Sequence, residues 1–436
     1  MLGKSVWAAL LGVEKTVVED VEFDPAEQVV VAYVRPSRRA RPRCGRCNRS
    51  AGLYDQGEGS RRWRALDLGV MKVWLVADAP RVACPVHGPT VRAFPWARHG
   101  AGHTLAFDQQ VAWLATNCSK SAITSLMRIS WRSVGNIVAR VWDDTAAGSD
   151  PFADLRRIGI DEISYKRGHK YLTVVVDHDT GRLVWAAPGR DRDTLRGFFD
   201  ALQASGEGLG EDRCAQITHV SADQADWVAT VVAERCPSAV RCADPFHIVK
   251  WAIEALDVVR RDAWNTARRA PGGTRLNSRS NGAPRREATG LARSISRSRW
   301  VLWKNPENLT TQQQAKLAWI AKTDPRLHRA YLLKEGLRVV FQLDYDDAVI
   351  ALDTWILWAR RSRIEAFVDL QRRILTHRTA ILAAIEHGLS NGRIESINTK
   401  IRLITRVAFG FRSPHALIAL AMLNLGGHKP ALPGRP

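Results

Sequence analysis

Two short pairs of thiol and imidazole side chains near the N-terminus have the spacing of metal ligands. Cys44 and Cys47 lie in "PRCGRCNRS", and Cys84 and His87 lie in "RVACPVHGP". Together they supply three thiolates and one imidazole, the donor set of a closed, tetrahedral zinc site. The pattern therefore predicts one structural Zn²⁺ that holds together a module with little core of its own. The alternative is that these are unrelated small residues in turns.

Three acidic residues that are far apart in the chain indicate a second kind of metal chemistry. Asp161 ends the predicted strand "RIGID", Asp223 ends "QITHVSAD", and Glu395 lies in the cation-rich segment "LSNGRIESINTKIRLITRVAFGFRS". If the two strands are neighbours in one sheet, both Asp side chains emerge at the same edge. Such carboxylates suit Mg²⁺ or Mn²⁺, and two ions per site can clamp an in-line displacement at phosphorus. Taken singly, each acid is also typical of a turn, a helix cap or an ion pair.

The composition favours a partner that carries negative charge. The chain has 436 residues, 45% of them hydrophobic, with 64 Lys and Arg against 44 Asp and Glu, a formal charge of +20 and a pI of about 10.2. Nucleic acid is the usual partner of so basic a protein, and acidic lipid is the competing one. No apolar run approaches the ~20 residues of a membrane helix, and no export signal is evident. Seven Cys, an odd number, suit a reducing compartment, so a cytoplasmic protein is expected.

The hydrophobic pattern changes along the chain. Residues 1–98 contain short apolar alternations broken by Pro, Gly and Arg, which predict a small β-rich module. Residues 99–150 contain three helical segments with the spacing of a helix-turn-helix. From residue 151, strands alternate with helices as in an α/β domain. Residues 257–304 are rich in Arg and resemble a basic surface, and helical periodicity follows them.

The third of the helical segments within 99–150 has the features of a DNA-reading helix. Ser130 can cap a helix that begins at Trp131. Arg132, Asn136 and Arg140 would then point outward, where they could reach base edges or phosphates. A three-helix piece of an ordinary core is the alternative for this pattern.

These stretches together resemble the transposases of the bacterial insertion-sequence family ISL3, which are DDE enzymes with a ribonuclease-H-like catalytic domain. Besides the two Cys/His knuckles, the matching segments are "GIDEISYKRGHKYLTVVVDHDTGRLVW", "VSADQADWVATVVAERCPSAVRCADPFHIVKW" and "SNGRIESINTKIRLITRVAFGFR". They occur in the family's order and span nearly the whole chain.

The resemblance implies roles for the acidic residues. Asp161 is the first catalytic Asp and Glu395 the catalytic Glu. Asp223 and Asp244 both lie at strand ends, and Asp223 is expected to be the second catalytic Asp, because "DPFH" resembles the signature that follows that Asp. Asp244 and His247, in "DPFH", are expected to support the site without holding metal. Glu162 and Asp177 are expected to be local turn and packing residues. The chain departs from the family's pattern at Ser396, where many relatives carry Gly, and at Pro245 within the Asp-x-x-His motif.

The resemblance also implies a domain division. It predicts a zinc-binding module (1–98), a helix-turn-helix (99–150), the first part of the catalytic domain (151–256), a basic α-helical insertion (257–384) and the part with the catalytic Glu (385–436).

The implied function is metal-dependent cleavage and strand transfer at the terminal inverted repeats of an insertion sequence. The expected partners are those repeats, flanking and target DNA, and further copies of the chain in a homodimer or larger assembly. The cations expected to contact DNA are Arg43, Arg46, Arg62, Arg132, Arg140, Arg285, Arg286, Lys400, Arg402, Arg406 and Arg412, with Asn136 beside them. The alternatives are a catalytically silent repressor, a recombinase with a Ser or Tyr nucleophile, and a lipid-binding surface.

Overall fold

The computed structural model describes residues 3–38, 41–269, 283–390 and 392–435. The chain forms two compact units, one of Met1–Pro151 with Ile401–Pro436 and the other of Phe152–Lys400. Among the described residues, no helix has both the length and the apolar character needed to cross a bilayer.

The first unit begins with a short helix and two small sheets. The elements are α1 (Lys4–Leu10), β1 (Thr16–Asp24), β2 (Val29–Pro36), β3 (Leu53–Asp55), β4 (Ser60–Leu68), β5 (Met71–Asp78), β6 (Arg81–Cys84) and β7 (Gly88–Val91). One sheet has the order β1-β2-β5-β4 and the other the order β3-β6-β7. Alternate residues of β2 and β5 are buried, among them Val30, Ala32, Val73 and Leu75. This period of two gives the sheet one apolar face, as the sequence pattern predicts for a β-rich module.

Three helices follow in the same unit: α2 (Leu105–Asn117), α3 (Lys120–Met127) and α4 (Trp131–Ala147). Each begins after a hydroxyl residue, Thr104, Ser119 or Ser130, whose side chain accepts a hydrogen bond from a backbone N–H in the first turn. Such caps satisfy backbone donors that a helix leaves unpaired. The predicted cap at Ser130 and helix start at Trp131 are therefore confirmed.

The second unit is built on a five-stranded mixed sheet. Its elements are β8 (Arg157–Lys166), β9 (Lys170–Asp177), β10 (Leu183–Pro188), α5 (Arg192–Glu207), β11 (His219–Ala222), α6 (Asp226–Arg235) and β12 (Val240–Ala243). The strand order is β10-β9-β8-β11-β12. Strand β9 is antiparallel to both β10 and β8, whereas β11 is parallel to both β8 and β12. Buried Ile158 and Ile160 of β8 pack in one core with Phe198 and Phe199 of α5.

Helices make up the rest of the chain. They are α7 (Pro245–Arg269), α8 (Ala283–Arg297), α9 (Arg299–Trp303), α10 (Thr311–Thr323), α11 (Pro325–Val340), α12 (Tyr345–Arg361), α13 (Glu365–Thr376), α14 (Arg378–Glu386), α15 (Gly392–Val407) and α16 (Pro414–Leu425). A core that includes Leu256, Leu333, Trp355 and Phe367 joins α7 to α11, α12 and α13. Leu420 and Leu423 of α16 are buried with the core of α2, α3 and α4.

The prediction that a strand ends at Asp161 is wrong. β8 continues to Lys166, because its antiparallel pairing with β9 continues past Asp161, which lies opposite Val174. The strand that stops near this point is β11, whose pairing with β8 ends at Gly159. Asp161 is therefore a residue in the middle of β8 that lies just beyond the end of its parallel neighbour.

Candidate active site and metal centre

The four residues predicted to bind zinc are brought together in the first unit. The ligand atoms of Cys44, Cys47, Cys84 and His87 all lie within 4.8 Å of one another. The Sγ atoms of Cys47 and Cys84 are 3.7 Å apart, and His87 Nδ1 is 3.7 Å from Sγ of both Cys44 and Cys84. Zn–S bonds of ~2.3 Å in a tetrahedron place neighbouring ligand atoms ~3.8 Å apart. The geometry therefore fits one structural zinc ion.

Local backbone geometry prepares this centre for a metal. The first knuckle is closed by a turn in which Asn48 N–H donates to Cys44 O over 2.9 Å, with Asn48 at a left-handed φ of 57°. Burial acts to raise the pKa of the Cys84 thiol, but hydrogen bonds from the backbone of Val86 and His87 outweigh it and lower the pKa to about 6. A thiolate is the form that binds metal. The backbone of the second knuckle therefore favours the thiolate of Cys84, which is the metal-binding form.

Three Asp residues form one row across neighbouring parallel strands of the second unit. β11 and β12 pair as far as Ala222 opposite Ala243, so the next residues, Asp223 and Asp244, lie level with each other. The last pair between β11 and β8 is Ser221 opposite Gly159. Two residues further along each strand, the same register places Asp223 level with Asp161. β8, which contains Asp161, and β11, which precedes Asp223, are neighbours in the sheet, so the condition set by the sequence analysis is met.

Electrostatic repulsion within this row is partly offset by a histidine. Burial raises the pKa of Asp161, and the negative charges of Asp223 and Asp244 add to the rise, whereas His247 opposes it. Asp244 is only 2% exposed, and its Oδ2 lies 2.5 Å from His247 Nδ1. That hydrogen bond raises the pKa of His247. One oxygen of Asp244 is thus paired with His247, whereas the two oxygens of Asp161 accept hydrogen bonds from the Glu162 backbone N–H and from Asn398.

Glu162 is a member of this charged group that the sequence reading assigned to local packing. Its side chain is only 9% exposed, and this burial together with the charge of Asp223 raises its pKa to about 7. Arg190 lies 3.7 Å from its carboxylate and opposes the rise. Nothing in the sequence around Glu162 pointed to this setting, because Asp223 and Arg190 reach it only through the fold.

Helix α15 carries Glu395 in its first turn and brings Asn398 onto Asp161. Asn398 Nδ2 donates to Asp161 Oδ2 over 2.7 Å, and Asn398 is 3% exposed. Glu395 is exposed, one helical turn before Asn398. Residues three apart share a helix face, so the spacing of these two was a signal for Asn398 that the sequence analysis missed.

The carboxylates are nevertheless not packed as closely as the zinc ligands. Within the described ranges, the Cys/His cluster is the one group of three or more potential metal ligands whose atoms all lie within 4.8 Å. Among the described residues, Asp161, Asp223 and Glu395 therefore form no closed cluster of ligand atoms.

Contact between β8 and α15 depends on the absence of a side chain at Gly159. A Cβ at this position would lie 2.8 Å from Cγ1 of Ile394 and 2.8 Å from Nε2 of His178. Ile394 is fully buried and His178 is hydrogen-bonded to Ser221 over 2.6 Å. Neither neighbour can move freely, so Gly159 sets how closely the helix with Glu395 approaches the sheet.

We expect Gly159→Ala to lower the stability of the chain by about 1–3 kcal/mol, because overpacking a filled core forces side chains and backbone to shift. The measurement is the denaturant midpoint of unfolding. Gly197→Ala is the matched control, since a Cβ there meets nothing within 4 Å and Ala favours the helix interior by about 0.5–1 kcal/mol. Equal midpoints for the two variants would contradict the tight contact.

The residues predicted to contact DNA have different settings. Exposed side chains are those of Arg43, Arg46, Arg62, Arg132, Asn136, Lys400, Arg402, Arg406 and Arg412. Arg62 stacks over Trp74 at 4.1 Å. Arg140 donates instead to the buried Asp108 over 3.1 Å. The side chains of Arg285 and Arg286 lie outside the described part of the structure. A role in DNA binding stays a prediction for all of these residues.

Three families of known proteins match successive parts of the chain. Residues 158–421 match the family described as "Transposase" for ISL3 elements, residues 92–142 the "Helix-turn-helix domain of transposase family ISL3", and residues 40–87 the "zinc-finger of transposase IS204/IS1001/IS1096/IS1165". The chain is 63% identical to the transposase for insertion sequence element IS1557 of Mycobacterium tuberculosis, in strains CDC 1551 and H37Rv, over 99% of this chain and 97% of that protein. It is 27% identical to the transposase for IS1001 of Bordetella parapertussis, over 94% and 96%. The chain belongs to the ISL3 family of DDE transposases.

Proposed function

We propose that this transposase binds the terminal inverted repeats of its insertion sequence and cuts and joins DNA at a site formed by Asp161, Asp223 and Glu395. The observation that carries the proposal is the row of Asp161, Asp223 and Asp244 across β8, β11 and β12, with α15 joined to Asp161 through Asn398.

The sheet supports a ribonuclease-H-like catalytic domain. Three antiparallel strands, β8 to β10, are extended at the β8 edge by two parallel strands that arrive after helical connections. In this proposal residues 151–256 and 385–436 belong to the catalytic domain, and residues 257–384 are an α-helical insertion. Residues 1–98 and 99–150 are the zinc-binding and helix-turn-helix parts.

Asp161, Asp223 and Glu395 would hold Mg²⁺ or Mn²⁺, two ions per site. The donor set fits, since all three are carboxylates and the pKa of Asp161 is raised by burial and by its acidic neighbours, which is the setting a cation relieves. When bound, such ions supply Lewis acidity to the attacking and leaving oxygens of a phosphodiester. Asp244 with His247 supports the row from the β12 side, and no covalent protein–DNA bond is required.

Asn398 is expected to act as a positioning residue. Its hydrogen bond holds one oxygen of Asp161, and outer partners of this kind are typically worth 10–100-fold in metal affinity or activity. Asn398→Ala should therefore lower the rate of cleavage by roughly 10–100-fold and raise the Mg²⁺ concentration needed for half-maximal rate.

The measurement is the metal dependence of cleavage of a labelled element end. Thr399→Ala, an exposed neighbour on the same helix, is the control and should leave the metal dependence unchanged. If Asn398→Ala lowers the rate at every metal concentration by the same factor, Asn398 has no part in shaping the metal site.

The proposed function is tested by incubating the full chain with a labelled element end, with and without Mg²⁺ or Mn²⁺, and following binding, cleavage and strand transfer. Metal-dependent cleavage at the element boundary supports the proposal. Specific binding without cleavage under every metal condition would instead assign the chain to the repressor class. Because joining requires two ends, the active form is proposed to be a homodimer or larger, which sedimentation of the DNA complex measures.

A further inference from the structure

The first unit contains a polar cavity where the zinc knuckle, β4 and helix α4 come together. Its volume is about 510 Å³. The walls are the knuckle near Gly45, β4 near Arg61, the segment 91–101 and the second half of α4. Backbone hydrogen bonds join these parts, with Gly45 N–H donating to Val91 O over 3.1 Å and Ala93 N–H donating to Arg43 O over 2.8 Å. The cavity is therefore a feature of a connected framework.

The lining of this cavity is strongly cationic. Its basic residues are Arg46, Arg61, Arg92, Arg98, His99 and Arg140. Two acids, Asp143 and Asp144, face the same space, and Asp144 is paired with Arg98. Within the described ranges, Arg46, Arg61 and Arg92 have no carboxylate within ion-pair distance. Positive charge in the cavity thus exceeds negative charge.

Two guanidinium donors are buried in the wall without an acceptor. In the described part of the chain, the Nε atoms of Arg92 and Arg140 have no hydrogen-bond partner. Arg140 is held by Asp108, which is fully buried and also binds Arg98 over 3.1 Å. Buried donors are nearly always paired, and leaving one unpaired costs about 1–3 kcal/mol. Both arginines line the cavity, so an anion there would lie beside guanidinium groups that still have unused donor capacity.

Burial and the positive charges of Arg46 and Arg61 lower the pKa of His99. Burial is the larger cause, and the nearby cations act in the same direction. A neutral His99 adds no positive charge, so the excess of positive charge in the cavity comes from its arginines.

We propose that this cavity is a binding site for one backbone phosphate of double-stranded DNA, clamped between the zinc knuckle and the end of helix α4. DNA is favoured over a free anion because exposed cations, Arg46 and Arg61, continue the positive charge from the cavity to the surface, where a duplex could follow it. The site rests on the proposed binding of element ends. It would fix the register of the zinc module and the helix-turn-helix on one duplex, since phosphate contacts position a protein without reading sequence.

The experiment measures binding of the full chain to a labelled duplex of its element end as a function of salt. Arg92→Gln is expected to weaken binding about tenfold at physiological salt, as for loss of a charge-assisted hydrogen bond. The slope of log K against log salt should fall by ~0.9, the value for one phosphate contact. Arg372→Gln, which makes the same charge change at a side chain that is 71% exposed, should change neither. Zinc content and unfolding midpoint confirm that each variant is folded.

Neutral methylphosphonate linkages, placed one at a time in the duplex, identify the phosphate. At one position, the neutral linkage should weaken binding by the wild type about tenfold. The same linkage should have little further effect on binding by Arg92→Gln, because the effects of two groups in contact are not additive. An unchanged salt slope for Arg92→Gln, or full additivity at every position, would overturn the inference. Competition by inorganic phosphate at constant ionic strength, with no sensitive backbone position, would assign the cavity to a free anion. If the wild type does not bind the element end at all, the proposed function fails first.

Discussion

Asp161→Asn is expected to reduce cleavage of the element end by at least about 10²–10³-fold, while binding to that end stays within about twofold of wild type. The substitution keeps the size of the side chain and the acceptor oxygen but removes the negative charge that a divalent ion requires. Asp161 lies level with Asp223 beyond the last pairing of β8 with β11. Loss of its charge should therefore weaken metal binding at the proposed site. Asp223→Asn and Glu395→Gln should have effects of the same size.

Asp244→Asn provides the comparison within the row. One oxygen of its carboxylate is paired with His247, so we expect a smaller loss of roughly 10–100-fold, the range of a supporting residue. The measurement is the single-turnover cleavage rate at saturating enzyme, with binding recorded on the same duplex. Asp193→Asn, at a side chain that is 91% exposed, is the control for a change of surface charge. If Asp244→Asn is inactive and Asp223→Asn retains near wild-type rates, Asp244 is the second catalytic Asp and Asp223 is the supporting residue.

The second large effect is expected on removal of zinc. Cys84→Ser should release the metal and abolish specific binding to the element end, because a structural zinc ion contributes on the order of 10–16 kcal/mol to the folding of small zinc modules. Cys84 is buried at the end of β6, where its Sγ lies 3.7 Å from both Cys47 Sγ and His87 Nδ1. The variant keeps only two thiols, Cys44 and Cys47, and the imidazole of His87 from the four-residue cluster, which is too few for a closed tetrahedral site.

Zinc content by atomic absorption and binding to the labelled element end are measured together. Cys118→Ser is the matched control: Cys118 is a free thiol that the Cys/His cluster does not include, and its loss should leave one zinc per chain. A Cys84→Ser protein that keeps one zinc and wild-type binding would show that the cluster does not hold the module together. A chelator should reproduce the effect of Cys84→Ser on the wild type, with recovery on addition of Zn²⁺.

Local signals were sufficient for the features that depend on neighbours in the chain. The zinc ligands occur as pairs three residues apart, so their convergence needed only two pairs to meet, and the structure confirms it. The cap at Ser130 and the helix after it were likewise readable, because capping is a contact between residues three apart. The resemblance to transposases rested on such short segments and was confirmed by the family matches.

What the sequence by itself determined, then, was the order of the elements, the zinc ligands, the family and the candidates Asp161, Asp223 and Glu395. Tertiary structure alone decided which residues surround Asp161. The extent of β8 beyond Asp161 follows from its pairing with β9, and the level of Asp244 with Asp223 follows from the register of β11 and β12. Asn398 reaches Asp161 from 237 residues away. Register and long-range packing are sums over contacts between distant segments, and no short stretch of sequence contains them.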